Sequence, residues 1–295
     1  GHFVDITAEA GLDLTLPGMA AVSADVDADG DADLLLTGVS GLRLLRQSAG
    51  RYADATAESG LADAQGAWTT AAVFFDADGD ADLDLAVGEY VAWSRELDLS
   101  LEATLDGANR AYGPPNQFPG TFPRLYRNEG AGRFRNVSAE AGLQVRNPAT
   151  GAPLAKTLGM TAVDLDADDD LDLVLGNDIV QNFAYVQGPG GRFTEQGAAL
   201  GLAFDTAGRA RGGSLVLQVV DPDPPQRHAI LFDGRDVGLF HDPVARLTER
   251  RQQHLGFVFG DRRQVLQRRP TAFEFGGDDL FGAHASSSQC LMPSL

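Results

Sequence analysis

Three short segments of the chain place aspartates at alternate positions: Asp25-Val-Asp-Ala-Asp-Gly-Asp-Ala-Asp33, Asp76-Ala-Asp-Gly-Asp-Ala-Asp-Leu-Asp84 and Asp164-Leu-Asp-Ala-Asp-Asp-Asp-Leu-Asp172. Carboxylates this close repel one another unless a cation lies between them, so the chemistry they suggest is hard-cation binding. Numbered from the first aspartate, positions 1, 3, 5, 7 and 9 hold Asp25, Asp27, Asp29, Asp31 and Asp33 in the first loop. They hold Asp76, Asp78, Asp80, Asp82 and Asp84 in the second, and Asp164, Asp166, Asp168, Asp170 and Asp172 in the third. The residue at position 7 can also offer its backbone carbonyl. An all-oxygen set of this size suits Ca²⁺, with ligands at about 2.3–2.6 Å, better than Mg²⁺, which keeps its water and demands an octahedron. No His or Cys lies in the loops, which argues against zinc. Position 12 is Leu36, Val87 or Leu175, not the Glu of an EF-hand, and the flanks read as strands rather than helices.

The loops differ at position 6, where a sharp turn favours glycine. The first has Gly30 there and the third has Asp169. The second can be read from Asp76, with Ala81 at position 6, or from Phe74, with Gly79 at position 6 but no first carboxylate. The first register places Gly88 as Gly176 is placed in the third loop. In either register the second loop is expected to be the most distorted.

These 16 carboxylates account for all but about three of the formal net charge of −19. The acidity therefore serves sites rather than general solubility, and it disfavours nucleic acid as a partner. No apolar run reaches the roughly 18 residues of a membrane span. The single cysteine, Cys290, excludes an intrachain disulfide framework. No signal peptide is seen, and Gly1-His2-Phe3 runs straight into a repeat motif, so the chain reads as a processed or trimmed piece.

The elements that position the loops belong to a repeat. The phrase Phe3-Val-Asp-Ile-Thr-Ala-Glu-Ala-Gly-Leu12 returns as Tyr52 to Leu61, Phe134 to Leu143 and, more loosely, Phe193 to Leu202. The later copies follow glycine turns suited to hairpins. The aromatic anchors are 49, 82 and 59 residues apart, which fits a unit of about 50 residues with an insertion at 89–123. Short apolar segments flank each acidic loop, and no long 3.6-residue period appears. Four short strands per unit predict an all-β fold, a β-propeller. Domain organisation is expected as propeller repeats over 1–212 and a degenerate repeat with an atypical tail over 213–295. The formal charge divides as −18 and −1 between them. In the second part, Asp221-Pro-Asp223 stands where an acidic loop should begin, and Ala229 to Gly234 stands where a post-loop strand should be.

The acidic loops, each followed by Leu and an apolar strand, resemble the FG-GAP/VCBS repeats of integrin α-subunit propellers. Leu125-Tyr-Arg-Asn-Glu-Gly-Ala-Gly-Arg-Phe134, with Val137 to Leu143, Tyr90-Val-Ala-Trp-Ser94 and Thr104-Leu-Asp-Gly107, is similar to the cartilage acidic protein family and its bacterial relatives. The resemblance covers about residues 1–212. It implies an exported, seven-bladed propeller with Ca²⁺ in its loops, at a cell surface, in a periplasm or outside the cell.

Other chemistry is sparse. There is no nucleophile elbow, no His-Glu-x-x-His and no phosphate-binding glycine loop. His2, His228, His241, His254 and His284 are scattered, and Arg262, Arg263, Arg268 and Arg269 read as a solvated cluster. Trp68 and Trp93 could form a sugar-stacking or protein-binding platform. The expected function is a non-enzymatic calcium-binding repeat protein for adhesion or recognition of an extracellular protein or glycan. The alternative is a polysaccharide lyase or hydrolase on the same scaffold, with Arg95, Glu96 or Tyr112 from the insertion. The oligomeric state is left open.

Overall fold

Each acidic segment forms the turn between the first two strands of a four-stranded antiparallel meander. The computed structural model describes residues 2–104, 107–205 and 208–210, and the strands at 214–219, 228–233, 255–259 and 262–266. The first sheet runs β1 (Gly18–Ala24), β2 (Asp33–Gly38), β3 (Gly41–Ser48) and β4 (Arg51–Asp54). The second runs β5 (Thr69–Phe75), β6 (Asp84–Glu89), β7 (Arg124–Asn128) and β8 (Phe134–Asn136). The third runs β9 (Thr157–Val163), β10 (Asp172–Asn177), β11 (Phe183–Gly188) and β12 (Arg192–Glu195). The fold is all-β, and its four-stranded meanders are of the kind that build propeller blades.

Side-chain alternation decides what lies between the sheets. Leu85 and Val87 of β6 and Tyr126 of β7 point to the first sheet, where they pack with Leu35, Leu42 and Leu44. The intervening Ala86 and Leu125 point the other way, against Leu173, Leu175, Phe183 and Tyr185 of the third sheet. The middle sheet is thus apolar on both faces, which explains why β6 is buried along its whole length.

The recurring phrase places the outer strands. Its aromatic is the first or second residue of β4, β8 or β12, and its second half crosses to the next sheet. There the N–H of Tyr52 donates to the Ala10 carbonyl and that of Phe134 to the Ser59 carbonyl, both at 2.8 Å. Gly60, at φ +81°, approaches the Phe134 carbonyl so closely that a Cβ would collide with it. Phe134 and Phe193 are buried, whereas Phe3, in the same place in the phrase, is fully exposed and lies in no strand.

The insertion between β6 and β7 contains α1 (Arg95–Ser100), capped by Ser94 Oγ accepting from the Leu97 N–H at 3.1 Å, and one 3₁₀ turn at Pro115–Gln117. Lys156 Nζ fastens it to the third sheet by donating to the carbonyls of Pro115 and Phe118. After β8 comes α2 (Ser138–Ala141).

In the same compact unit, which spans Gly1–Arg250, β13 (Ser214–Val219) and β14 (His228–Asp233) pair antiparallel. The segment holding Asp221 and Asp223 joins them but lies outside the described residues. A second unit, Arg251–Leu295, contains the hairpin of β15 (Leu255–Phe259) and β16 (Arg262–Leu266). No described helix is long and apolar enough to cross a membrane.

Candidate metal centres

The last aspartate of each loop is buried and opens the second strand of its sheet. Asp33 Oδ2 accepts from the Val26 N–H at 3.2 Å, Asp84 Oδ2 from Ala77 at 2.9 Å, and Asp172 Oδ2 from Leu165 at 2.7 Å. The other oxygen reaches the third strand. Asp33 Oδ1 accepts from Gln47 at 2.8 Å, Asp84 Oδ1 from Asn128 at 2.7 Å, and Asp172 Oδ1 from Gln187 at 2.8 Å. Each carboxylate staples the base of its loop to the neighbouring strand. Burial pushes the Asp84 and Asp172 carboxyls up to about 6, against the pull of their backbone donors, and raises Asp33 as well.

This staple fixes one register for all three loops, and the second loop begins at Asp76. Positions 4 and 6 both have positive φ in every loop: Ala28 at 59° and Gly30 at 92°, Gly79 at 82° and Ala81 at 72°, Ala167 at 66° and Asp169 at 74°. The expectation that the second loop is the most distorted is therefore corrected. The first two loops each put a glycine at one of the two left-handed positions. The third has none and carries two side chains there.

The first aspartate caps the turn from within. Asp25 accepts from the N–H groups of Asp29 and Gly30 at 3.1 and 3.0 Å, and Asp76 from Gly79 and Ala81 at 2.7 and 2.9 Å. Asp164 accepts from Ala167 at 2.7 Å. At position 5, Asp29, Asp80 and Asp168 each accept from the N–H two residues on, at 2.8, 2.9 and 3.0 Å.

Position 3 is where the loops part. Arg46 of β3 pairs with Asp27 at 3.4 Å, and Arg127 of β7 pairs with Asp78 at 2.7 Å. In the third sheet Val186 holds the corresponding place, just before Gln187. Burial raises the Asp166 carboxyl, and Asp168 and Asp164 raise it further. Burial also raises Asp78, with Arg127 opposing.

Among the described residues, carboxylate oxygens converge in three sets, each within 4.8 Å: Asp25, Asp27 and Asp29; Asp76, Asp78 and Asp84; Asp164, Asp166 and Asp172. Asp31, Asp82 and Asp170 at position 7 stay outside these sets, and the Asp31 carboxylate accepts instead from the Ala49 N–H at 3.4 Å. Asp27 Oδ1 and Asp78 Oδ1 are sealed from solvent and have no hydrogen-bond partner among the described residues. A partnerless carboxylate oxygen beside two others fits an oxygen-preferring divalent cation.

Arg46 and Arg127 escaped the sequence reading. Their signal was an Arg directly before the Gln or Asn of the third strand. The two tryptophans do meet, with Trp93 at 6.0 Å and Tyr90 at 5.3 Å from Trp68, all edge to face. Tyr90 donates from its hydroxyl to Asp178 at 2.6 Å. Arg95 and Glu96 stand exposed on α1, and Tyr112 is exposed on the loop beyond. His2 is exposed, His228 opens β14, and His241, His254 and His284 lie outside the described residues, as do Arg268 and Arg269.

Residues 25–87, from the first acidic loop through the second, match the FG-GAP-like repeat. No curated protein matches the chain. Among solved structures, the chain is similar, at 16% identity and a TM-score of 0.34, to an Agrocybe aegerita lectin described as recognising non-reducing terminal N-acetylglucosamine. The match covers 75% of this chain and 54% of the lectin, so the chain spans about half of that protein's length.

Proposed function

We propose that the chain is a calcium-stabilised recognition scaffold: an exported repeat protein related to the cartilage acidic protein family, acting in adhesion or ligand recognition. The observation that carries this reading is the pair of sealed, partnerless oxygens on Asp27 and Asp78, each inside a three-carboxylate set. Asp25, Asp27 and Asp29 in the first loop, Asp76, Asp78 and Asp84 in the second, and Asp164, Asp166 and Asp172 in the third would hold Ca²⁺. The ion would supply charge neutralisation, tightening turns that the carboxylates otherwise push apart. The FG-GAP-like match over 25–87 supports a repeat of this class, and the insertion gives the scaffold a surface that the repeat itself does not need.

Calcium at 100 times its dissociation constant adds about 2.7 kcal/mol per site to the folded state. For a domain of this size that is a rise in melting temperature of roughly 5–10 °C. Thermal melts with excess chelator and with added calcium should differ by that amount, and Asp27→Ala or Asp166→Ala should shrink the difference. Superimposable melts, with no heat on calcium titration, would sink the proposal.

A further inference from the structure

A cavity of about 370 Å³ opens beside the second sheet, at the end away from its acidic loop. Glu89, at the end of β6, and Arg124, at the start of β7, stand side by side in its wall and form a hydrogen-bonded ion pair. The Glu89 side chain is only 9% exposed. Burying such a pair costs several kcal/mol of desolvation per ion before any attraction is regained.

The repeat does not ask for this pair. By strand register, Gly38 and Asn177 take the place of Glu89 in the other sheets, and Arg43 and Phe183 take that of Arg124. Nor does the pair merely satisfy itself. Arg124 Nη1 also binds Asp63 at 3.1 Å, and Asp63 has further donors in the Tyr126 hydroxyl at 2.8 Å and Asn136 Nδ2 at 2.7 Å. The Glu89 carboxylate receives only the Arg124 Nε bond among the described residues. Among the described residues Glu89 Oε2 and Arg124 Nη2 make no hydrogen bond, and both residues line the cavity, so its wall offers an acceptor and a donor on neighbouring side chains.

An anion entering here would meet Glu89 and Glu140, and a cation would compete with Arg124 for Glu89. A neutral group offering adjacent hydroxyls matches both, one donating to Glu89 and the next accepting from Arg124. Phe122 and Pro123 add apolar wall, and Arg146 lies 4.7 Å from the centre of the Phe122 ring and steadies it. The volume is near the lower end for ligand sites, the size of a small cyclic molecule. We propose that this cavity binds a neutral saccharide unit through vicinal hydroxyls. This rests on the recognition reading above and names the ligand class for it.

The test applies the calcium-loaded full chain to an array of neutral hexose-terminated oligosaccharides beside sulfated and uronate-containing ones. Neutral glycans should be retained, and Glu89→Gln should weaken binding about tenfold. Phe122→Ala and Gln144→Ala should also weaken binding with little change in melting temperature, which separates the site from the fold. Retention of charged glycans only, no retention at all, or retention unchanged in all three variants would overturn the cavity proposal. A normal calcium-induced thermal shift alongside those results would leave the scaffold reading standing. Loss of that shift would remove the scaffold reading whatever the array shows.

Discussion

The first two acidic loops and the third share a register, a staple and a set of turn hydrogen bonds, yet they resolve their charge differently. In the first two, a guanidinium from the third strand lies against the position 3 carboxylate. Arg46 extends this further, donating from Nη2 to the Gly132 carbonyl in the second sheet's outer turn at 3.0 Å. In the third loop Val186 stands in that place, and Asp166 has Asp164 and Asp168 for neighbours. The difference separates two layers of the repeat. What all three loops keep, the position 9 staple, belongs to the fold. What varies, the cation at position 3 and the glycine of the turn, belongs to the management of charge and strain.

The sharpest way to break this division is to remove the two kinds of aspartate separately. Asp84→Ala or Asp172→Ala leaves two buried backbone N–H groups without their acceptor, and each charged hydrogen bond is worth about 1.5–3 kcal/mol. A loss of roughly 3–5 kcal/mol is expected in urea unfolding, with chelator present as well as with calcium. Asp27→Ala removes a largely buried ion pair held at 3.4 Å but also relieves carboxylate repulsion, so it should cost about 1 kcal/mol or less in chelator. Equal costs for the two kinds of variant would end the distinction.

A smaller effect sharpens the contrast at position 3. A guanidinium paired with the position 3 carboxylate would both repel a divalent ion and compete with it for that carboxylate, an opposition reduced by solvent screening. Val186→Arg should therefore weaken calcium binding at the third loop about tenfold, and Arg46→Met should strengthen it at the first by a similar factor. Titration calorimetry reads both. Without calcium, Val186→Arg should raise the melting temperature, because Asp166 gains a partner. If both variants left the titration unchanged, the arginines would be tethers between sheets and nothing more.

The sequence made the strand–loop–strand units legible because alternation and aspartate spacing are local patterns. The second loop's register could not be read from glycines, since two positions in the turn are left-handed and Gly79 serves one of them while Ala81 serves the other. Only the Ala77–Asp84 and Asn128–Asp84 bonds decide it, and the second of these spans 44 residues. Spacing did not show that Asp33, Asp84 and Asp172 each accept from two backbone N–H groups, because it records where a carboxylate sits and not which groups meet its oxygens. Glu89 and Arg124 were invisible as a pair, since the insertion separates them in the chain and only the pairing of β6 with β7 joins them. Trp68 and Trp93 were legible as candidates, and their contact required the chain to turn back at Tyr90, whose N–H donates to the Trp68 carbonyl at 2.9 Å.

The smallest expected effect tests the strain in the comparison. The third loop holds Ala167 and Asp169 at positive φ, where the first two loops each hold one alanine and one glycine. Replacing a side-chain-bearing residue by glycine relieves the left-handed strain but gives the unfolded chain more freedom, so only the difference is gained. For Ala167→Gly that should be about 1 kcal/mol of added stability. For Asp169→Gly it should be roughly 0.5 kcal/mol, because aspartate tolerates the left-handed region better than alanine. Asp169→Gly also deletes a charge from a six-aspartate loop. That contribution fades at about 1 M salt, where exposed charges are screened beyond about 3 Å, so the unfolding should be measured there. A gain that vanished in salt would assign the third loop's cost to repulsion. A gain that persisted would assign it to the backbone, and the third loop would then differ from the first two in its turn as well as in its charge.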